Sequence, residues 1–298
     1  MNIKNVYAWY LETARGKLEE MRNKEAYKND FAEEMVEKVN DTMSYVLNRT
    51  KTYLDMLVEQ YKSVGKGVLR VKASTKTRLI VDISSPFGWL IDEVGLAWDP
   101  IMDAPYIPST EIKGAISAKL TWDNKKARDV LLGSTDEKAH KSLIDFTDAY
   151  PVSVEGESLI ERDVITPTYG TDKIKEHEAS PTPIQFIVVS PGVVFEFLTT
   201  FDLPRLKNLC EIARKSENKK ESELRSIDKV ALEIIRNLQD FTKTSHEISD
   251  KKFFDQLVNN LKEKMEKIIE EVLTLWGVGA KTASDYSIFN INQISDVK

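Results

Sequence analysis

"WGVGAKTASDYSIF", residues 276–289, decides the fold. Phe254, Leu257, Val258, Leu261, Met265, Ile268, Ile269 and Val272 recur at helical spacing and lead straight into Gly277. Four readings open at that point: a phosphate-cradling loop of a nucleotide enzyme, a DNA-gripping helical hairpin, an RNA-contacting loop, or a plain helix end. A phosphate loop needs G-x-x-x-x-G-K-[ST] after a strand. With Lys281-Thr282 at its end, Leu275 and Ala280 stand where both glycines belong, and the preceding element is a helix. That reading fails. Gly277-Val278-Gly279 suits the tight turn of a helix-hairpin-helix, but the motif needs a second helix. "SDYSIFNI" (284–291) is serine-, aromatic- and β-branched-rich and predicts a strand instead.

Upstream, Val6 to Tyr61 carries a helical pattern. Tyr7, Tyr10, Leu11, Ala14, Leu18 and Met21 fall on one face, Met35, Val39, Met43, Val46 and Leu47 resume it, and Asn29-Asp30 marks the expected break. Gly65 and Gly67 end it. The period then changes. In "KGVLRVKASTKTRLIVDISS" (66–85), Lys66, Arg70, Lys72, Lys76 and Arg78 all take even positions, opposite Leu69, Val71 and Leu79 on an extended chain. No acidic residue lies between Glu59 and Asp82, so this is the most basic segment of an acidic protein. It reads equally as a solvated strand face and as a nucleic-acid contact.

In "APYIPSTEIKGAISAKLTW" (104–122), Pro105 and Pro108 keep the chain extended, and Ser109 or Thr110 can cap a helix from Glu111. Ile112, Ala115, Ile116 and Leu120 form its apolar side. Gly114 lies in the first turns, where glycine costs roughly 1 kcal/mol against alanine, which predicts close approach of a backbone or ligand. Ser109, Thr110 and Lys113 gather donors at a helix N-terminus, which attracts anions; ordinary capping with a solvated lysine explains the same residues. Strands follow in "SLIDFTDAYP" (142–151) and "ERDVITPTY" (161–169), and "PIQFIVVSPGVVFEFLTTF" (183–201) predicts a hairpin turning at Pro191-Gly192. "GTDKIKEHEASPTP" (170–183) reads as a loop. Leu206 to Gln239 is helical around the charged run "KSENKKESE", with Ser249 and Asp250 as caps for the last helix. The order fits an α+β domain with a mainly antiparallel sheet backed by helices.

The chain has 298 residues, 41% hydrophobic and 30% charged, with a formal net charge of -6. That balance excludes a generally cationic nucleic-acid binder and leaves room for a local basic surface. One cysteine, Cys210, rules out an internal disulfide and suits a reducing compartment. No signal peptide or membrane span is expected, which points to a soluble, cytoplasmic protein. His140, His177 and His246 share no ligand spacing and no Cys-x-x-Cys exists, so no metal or other cofactor is expected. Asp145 and Asp148 could be proposed as a magnesium pair, but strand-end carboxylates are more often caps and turn formers. A metal-independent ribonuclease could draw on His140 as a base.

Several stretches together resemble the RAMP proteins of type III-B CRISPR-Cas (Cmr) effector complexes, most closely the family of the sixth Cmr subunit. "PYIPSTEIKGAI" (105–116) is similar to that family's P-Y-I-P-G-S-S-[IL]-K-G signature, and "LLGS" (131–134) to its L-F-G-S. "DAYPV" followed by "RDVITPTY" resembles its paired strand motifs, and "SPTPIQFIVVSPGVVFEF" its proline-led hairpin. "GVGAKTASDYSIF" resembles its G-I-G-A-K-T-x-x-G-Y-G-x-F loop and last strand. The match runs from about residue 76 to 291. Ser109 and Glu111 replace a glycine and a serine of the first motif, and Asp285 and Ser287 replace glycines of the last.

The resemblance implies a modified ferredoxin-like (RRM-like) RAMP fold; it does not cover the N-terminal helices or the charged segment near 215–250. The expected organisation is an N-terminal helical region, 1–64, packed on a RAMP domain, 65–298, that carries a helical insertion at about 205–250. The resemblance also implies a structural subunit without a catalytic site, binding near the 3′ end of the CRISPR RNA and along the guide–target RNA duplex, with neighbouring RAMP subunits as partners. Joined to the basic strand and the two loops, it makes Arg70, Lys72, Ser109, Thr110, Lys113, Gly277, Gly279, Lys281 and Thr282 the expected RNA-binding residues. The alternatives are a metal-independent RAMP endoribonuclease and a helix-hairpin-helix DNA-binding accessory protein.

Overall fold

The computed structural model of the protein describes residues 5–21, 25–89, 92, 94–134, 140–165 and 183–297, and the side chains of all of these except 17–21 and 25–28. Helices α1 (Val6–Met21) and α2 (Glu25–Ser63) open the chain. The break expected at Asn29-Asp30 does not occur. Neither proline nor glycine lies within α2, so nothing stops a buried apolar face, Met35, Val39, Val46, Leu54 and Val58, from carrying the helix through. The expected contacts of Leu18 and Met21 fall outside the described side chains. Gly65, at φ +74°, turns the chain into β1 (Gly67–Thr75).

A broken turn, α3 (Pro86–Trp89), and two short strands, β2 (Trp98–Asp99) and β3 (Ala104–Pro105), lead to α4 (Ser109–Leu132). Strands β4 (Ile144–Phe146), β5 (Tyr150–Val154), β6 (Ile160–Ile165), β7 (Ile184–Val189) and β8 (Val193–Phe201) follow. Helices α5 (Leu203–Ser216), α6 (Ser226–Thr242) and α7 (Phe253–Glu271) precede the closing strand β9 (Phe289–Val297). The main sheet runs β4-β8-β1-β9, with β5 also on β8, and every pairing is antiparallel. This is the expected α+β, ferredoxin-like architecture.

Alternation along β1 divides the core. Leu69, Val71 and Ala73 join the main cluster with Leu206, Leu238, Leu257, Leu261 and Met265, while Val68 packs with Leu198, Tyr150 and the α2 residues Leu54 and Val58. Each such fully buried aliphatic side chain contributes roughly 1.5–3 kcal/mol. One sheet face is therefore covered by α2.

Two local expectations are corrected. The stretch 183–201 is not a hairpin: β7 pairs with β6 in a separate two-stranded sheet, and β8 pairs with β1 on one edge and β4 and β5 on the other. With both edges of β8 taken, Pro191-Gly192 passes the chain between sheets. The Gly192 amide donates to the Thr75 carbonyl at 2.7 Å and its carbonyl accepts from Glu155 at 2.8 Å. The final strand also starts later than expected. Thr282–Ser284 is a single 3-10 turn and β9 begins at Phe289. No second helix follows the glycines, so the helical DNA-binding hairpin is absent. The loop expected at 170–183 lies outside the described residues apart from Pro183. Among the described residues no helix is long and apolar enough to cross a membrane.

Candidate nucleic-acid interface

The glycine loop is a folded plug. After α7 the chain widens into a π-turn, Val272–Trp276, and Gly277, at φ +74°, ends it with its amide donating to the Val272 carbonyl at 2.8 Å. The Val278 amide donates to the Ser287 carbonyl and the Ala280 amide to the Ile80 carbonyl at 2.8 Å. Gly279 sits at φ +128°, and a Cβ there would lie 2.5 Å from the Ile80 oxygen, so only glycine fits. Lys281, Asp285 and Ser287 adopt φ of +57°, +59° and +62°. Asp285 and Ser287 thus keep the left-handed backbone that glycine would supply, and the buried Ser287 hydroxyl donates to the Ala280 carbonyl at 3.1 Å. The Tyr286 hydroxyl donates to Asp163 of β6 at 2.6 Å; burial, then this bond, pushes its pKa up to about 12. Outside the plug, Lys281 is exposed, its ammonium 5.9 Å from the Phe186 ring centroid, and Thr282 is half-buried beside it.

The start of α4 differs from expectation. Ser109 is the first helical residue, Pro108 is the N-cap, and neither Ser109 nor Thr110 caps with its side chain. Asp148 does that work from the β4–β5 connection, its Oδ1 accepting from the Ser109 amide at 2.7 Å. A carboxylate already occupies the position where a helix dipole would attract an anion. Gly114 is exposed and open, with nothing within 4 Å of where a Cβ would lie, so the expected close approach within the chain is absent. Lys113, half-buried, makes no ion pair among the described residues.

The two motifs are joined by backbone. The Ala280 amide donates to Ile80, Ala97 to Val81 at 2.9 Å, Tyr106 to Ala97 at 3.2 Å, and Ile107 to Ala149 at 2.9 Å, two residues before α4 begins. Lys119 ties them a second time: its ammonium bonds Glu271 at 2.6 Å and Asp123 at 3.0 Å, and lies 5.7 Å from the Trp276 ring.

The basic strand does not form the free cationic stripe that parity predicts. Arg70 pairs with Glu196 of β8 and with Asp55 of α2, and Lys72 lies 3.5 Å from Glu196, which is 1% exposed. Lys66 faces Asp145 at 3.9 Å. The strand ends at Thr75, so Lys76 and Arg78 leave the register, and Arg78 pairs with Glu161 at 2.6 Å and Asp163 at 3.6 Å. The charge on Arg70 and Lys72 is matched beneath α2.

Asp145 and Asp148 act as turn former and cap: Asp145 accepts from the Ser142 hydroxyl at 2.6 Å. The His140 ring Nδ1 lies 3.3 Å from the neighbouring Lys141 carbonyl, and the His140 carbonyl accepts from the Ser134 amide at 3.3 Å. Among the described residues no group of three or more His, Cys, Asp or Glu could hold a metal ion. Sequence reasoning read Asp148 as a cap or turn former without linking it to α4, and it passed over Glu196 as counter-charge and Trp122, which is 83% exposed. Only Trp122 was signalled locally, two residues beyond the core position Leu120 and so on the opposite helix face.

A family model described as the RAMP superfamily matches residues 91–288, well over half of the chain. The CRISPR system CMR subunit Cmr6 of Saccharolobus solfataricus is 34% identical over 176 residues, covering 58% of this chain and 60% of that relative, so less than two thirds of the relative's length is spanned. A chain in the cryo-EM structure of the type III-B Cmr-beta bound to cognate target RNA aligns over 84% of this chain and 67% of its own length, with 23% identity and a TM-score of 0.56, a likeness of fold.

Proposed function

The chain belongs to the RAMP superfamily, and we propose that it is a non-catalytic, RNA-binding structural subunit of a cytoplasmic type III-B CRISPR-Cas (Cmr) ribonucleoprotein. In this reading it packs on neighbouring RAMP subunits and contacts the CRISPR RNA near its 3′ end and the guide–target RNA duplex. The N-terminal helical region, 1–64, braces the RAMP domain, 65–298, and its helical insertion.

The observation that supports this best is the distribution of charge. Arg70, Lys72 and Arg78 are matched by carboxylates, whereas Lys113 and Lys281 have none among the described residues and stand at the two motifs joined by the backbone ladder. Two cations on rigid supports suit the regularly spaced phosphates of an A-form duplex, whose sequence is read by base pairing. Ser109, Thr110, Gly277, Gly279 and Thr282 then act as the frame that holds them, and Arg70 and Lys72 as the cations that neutralise Glu196. The test is recovery of the tagged full chain from its native cells. A guide RNA and RAMP partners recovered with it support the proposal; a chain recovered free of both overturns it.

A further inference from the structure

The geometry points to Trp122 as a stacking platform for an unpaired base of single-stranded RNA, with Lys125 and Lys126 neutralising the flanking phosphates. Trp122 is 83% exposed, the most exposed of the large hydrophobic side chains among the described residues. It stands where α4 breaks: Asn124 leaves helical geometry at φ -161°, ψ 92°, and its side-chain oxygen accepts from the Ala127 amide at 3.0 Å, restarting the helix. Lys125 and Lys126, both exposed, follow the indole by three and four residues, just past the break. The neighbouring carboxylates are already engaged, Asp123 by Lys119 and Asp129 by Arg128 at 2.7 Å, whereas Lys125 and Lys126 have no ion pair among the described residues. The local surface is therefore an aromatic ring with net positive charge.

That combination selects the occupant. Protein interfaces are depleted in lysine at their cores, whereas single-strand nucleic-acid sites pair aromatic platforms with cations that follow the backbone. A second, partly exposed indole, Trp276, lies 5.7 Å from the ammonium of Lys119, which precedes Trp122 by three residues on α4. The inference rests on the RNA-binding reading above and extends it from duplex phosphates to an unpaired base.

The test measures binding of the full chain to a short oligouridylate and to a fully paired RNA duplex, for the unaltered protein, W122A, W122F and K113E/K281E. Because Trp122 touches little of the core, both single variants are expected to fold. W122A should weaken oligouridylate binding by about 5- to 150-fold, the range conferred by stacking one base on an aromatic ring, with duplex affinity unchanged. W122F should retain most of the affinity but lose the indole fluorescence quenching seen on saturation. Unchanged oligouridylate affinity in W122A overturns the stacking site; if K113E/K281E still weakens duplex binding, the RNA-binding reading stands without it. A W122A chain that keeps its RNA affinity but loses its protein partners makes this a protein interface and also overturns the inference. No binding of either RNA by the unaltered chain overturns both.

Discussion

The Asp148 carboxylate accepts a hydrogen bond from the Ser109 amide at 2.7 Å, so the N-terminus of α4 carries a resident anion supplied 39 residues further along the chain. The donors gathered there by Ser109 and Thr110 are consequently less open to an external phosphate than their spacing suggests. Lys113, one turn on, is the group at this end of the helix with charge to offer.

Removing that carboxylate separates the two roles of the helix start. D148A should lower stability by about 0.5–2 kcal/mol, the usual range for losing an N-terminal cap. It should also tighten RNA binding modestly, because the freed amide and dipole meet phosphate without a competing charge. Chemical denaturation and a parallel RNA titration check both parts.

Arg70 should behave as a structural residue. Its loss leaves Glu196, 1% exposed, with Lys72 as the remaining cation, so R70A should cost about 2–3 kcal/mol in unfolding free energy. Adding E196Q should recover much of that, which a denaturant double-mutant cycle measures.

Two glycines predict opposite outcomes. G279A puts a methyl 2.5 Å from the Ile80 oxygen at φ +128° and should destabilise the protein by more than about 1 kcal/mol. G114A adds a methyl to open space within a helix and should stabilise it by up to about 1 kcal/mol. Thermal denaturation of the pair distinguishes a locked loop from a permissive helix.

Tyr286 gives the fold an alkaline signature. Its hydroxyl titrates at about 12 in the folded protein, against about 10 in an unfolded chain. Below the lower value both states hold the proton and its bond to Asp163 contributes in full. As pH rises from about 10 to about 12 the unfolded state alone ionises, so that contribution is lost. Y286F should flatten the stability profile across this window, as read by denaturation at each pH.

Much of the fold was legible because its signals are local. Leu257, Leu261, Met265 and Ile268 announce α7 by spacing alone, and Leu69 and Val71 set the inward face of β1. What escaped depends on distant partners. Glu196 meets Arg70 across 126 residues, and nothing within "VVFEF" shows which cation it neutralises. Pro191-Gly192 has the chemistry of a hairpin turn, yet β8 has both edges filled by β1, β4 and β5, so the same dipeptide joins two sheets. At the candidate interface the glycines at 277 and 279 were recognisable as constrained, and Lys113 and Lys281 as cations. That Arg70 and Lys72 are matched, and that Asp285 and Ser287 keep glycine-like backbone, required the three-dimensional pairings.

The most direct measurement of the central claim is duplex RNA affinity of K113E/K281E against the unaltered chain over a range of salt, with folding checked by circular dichroism. The account predicts an affinity lower by at least about tenfold and a shallower salt dependence, because two phosphate contacts and their released counterions are gone. Unchanged affinity and an unchanged salt slope in a folded double variant would contradict it.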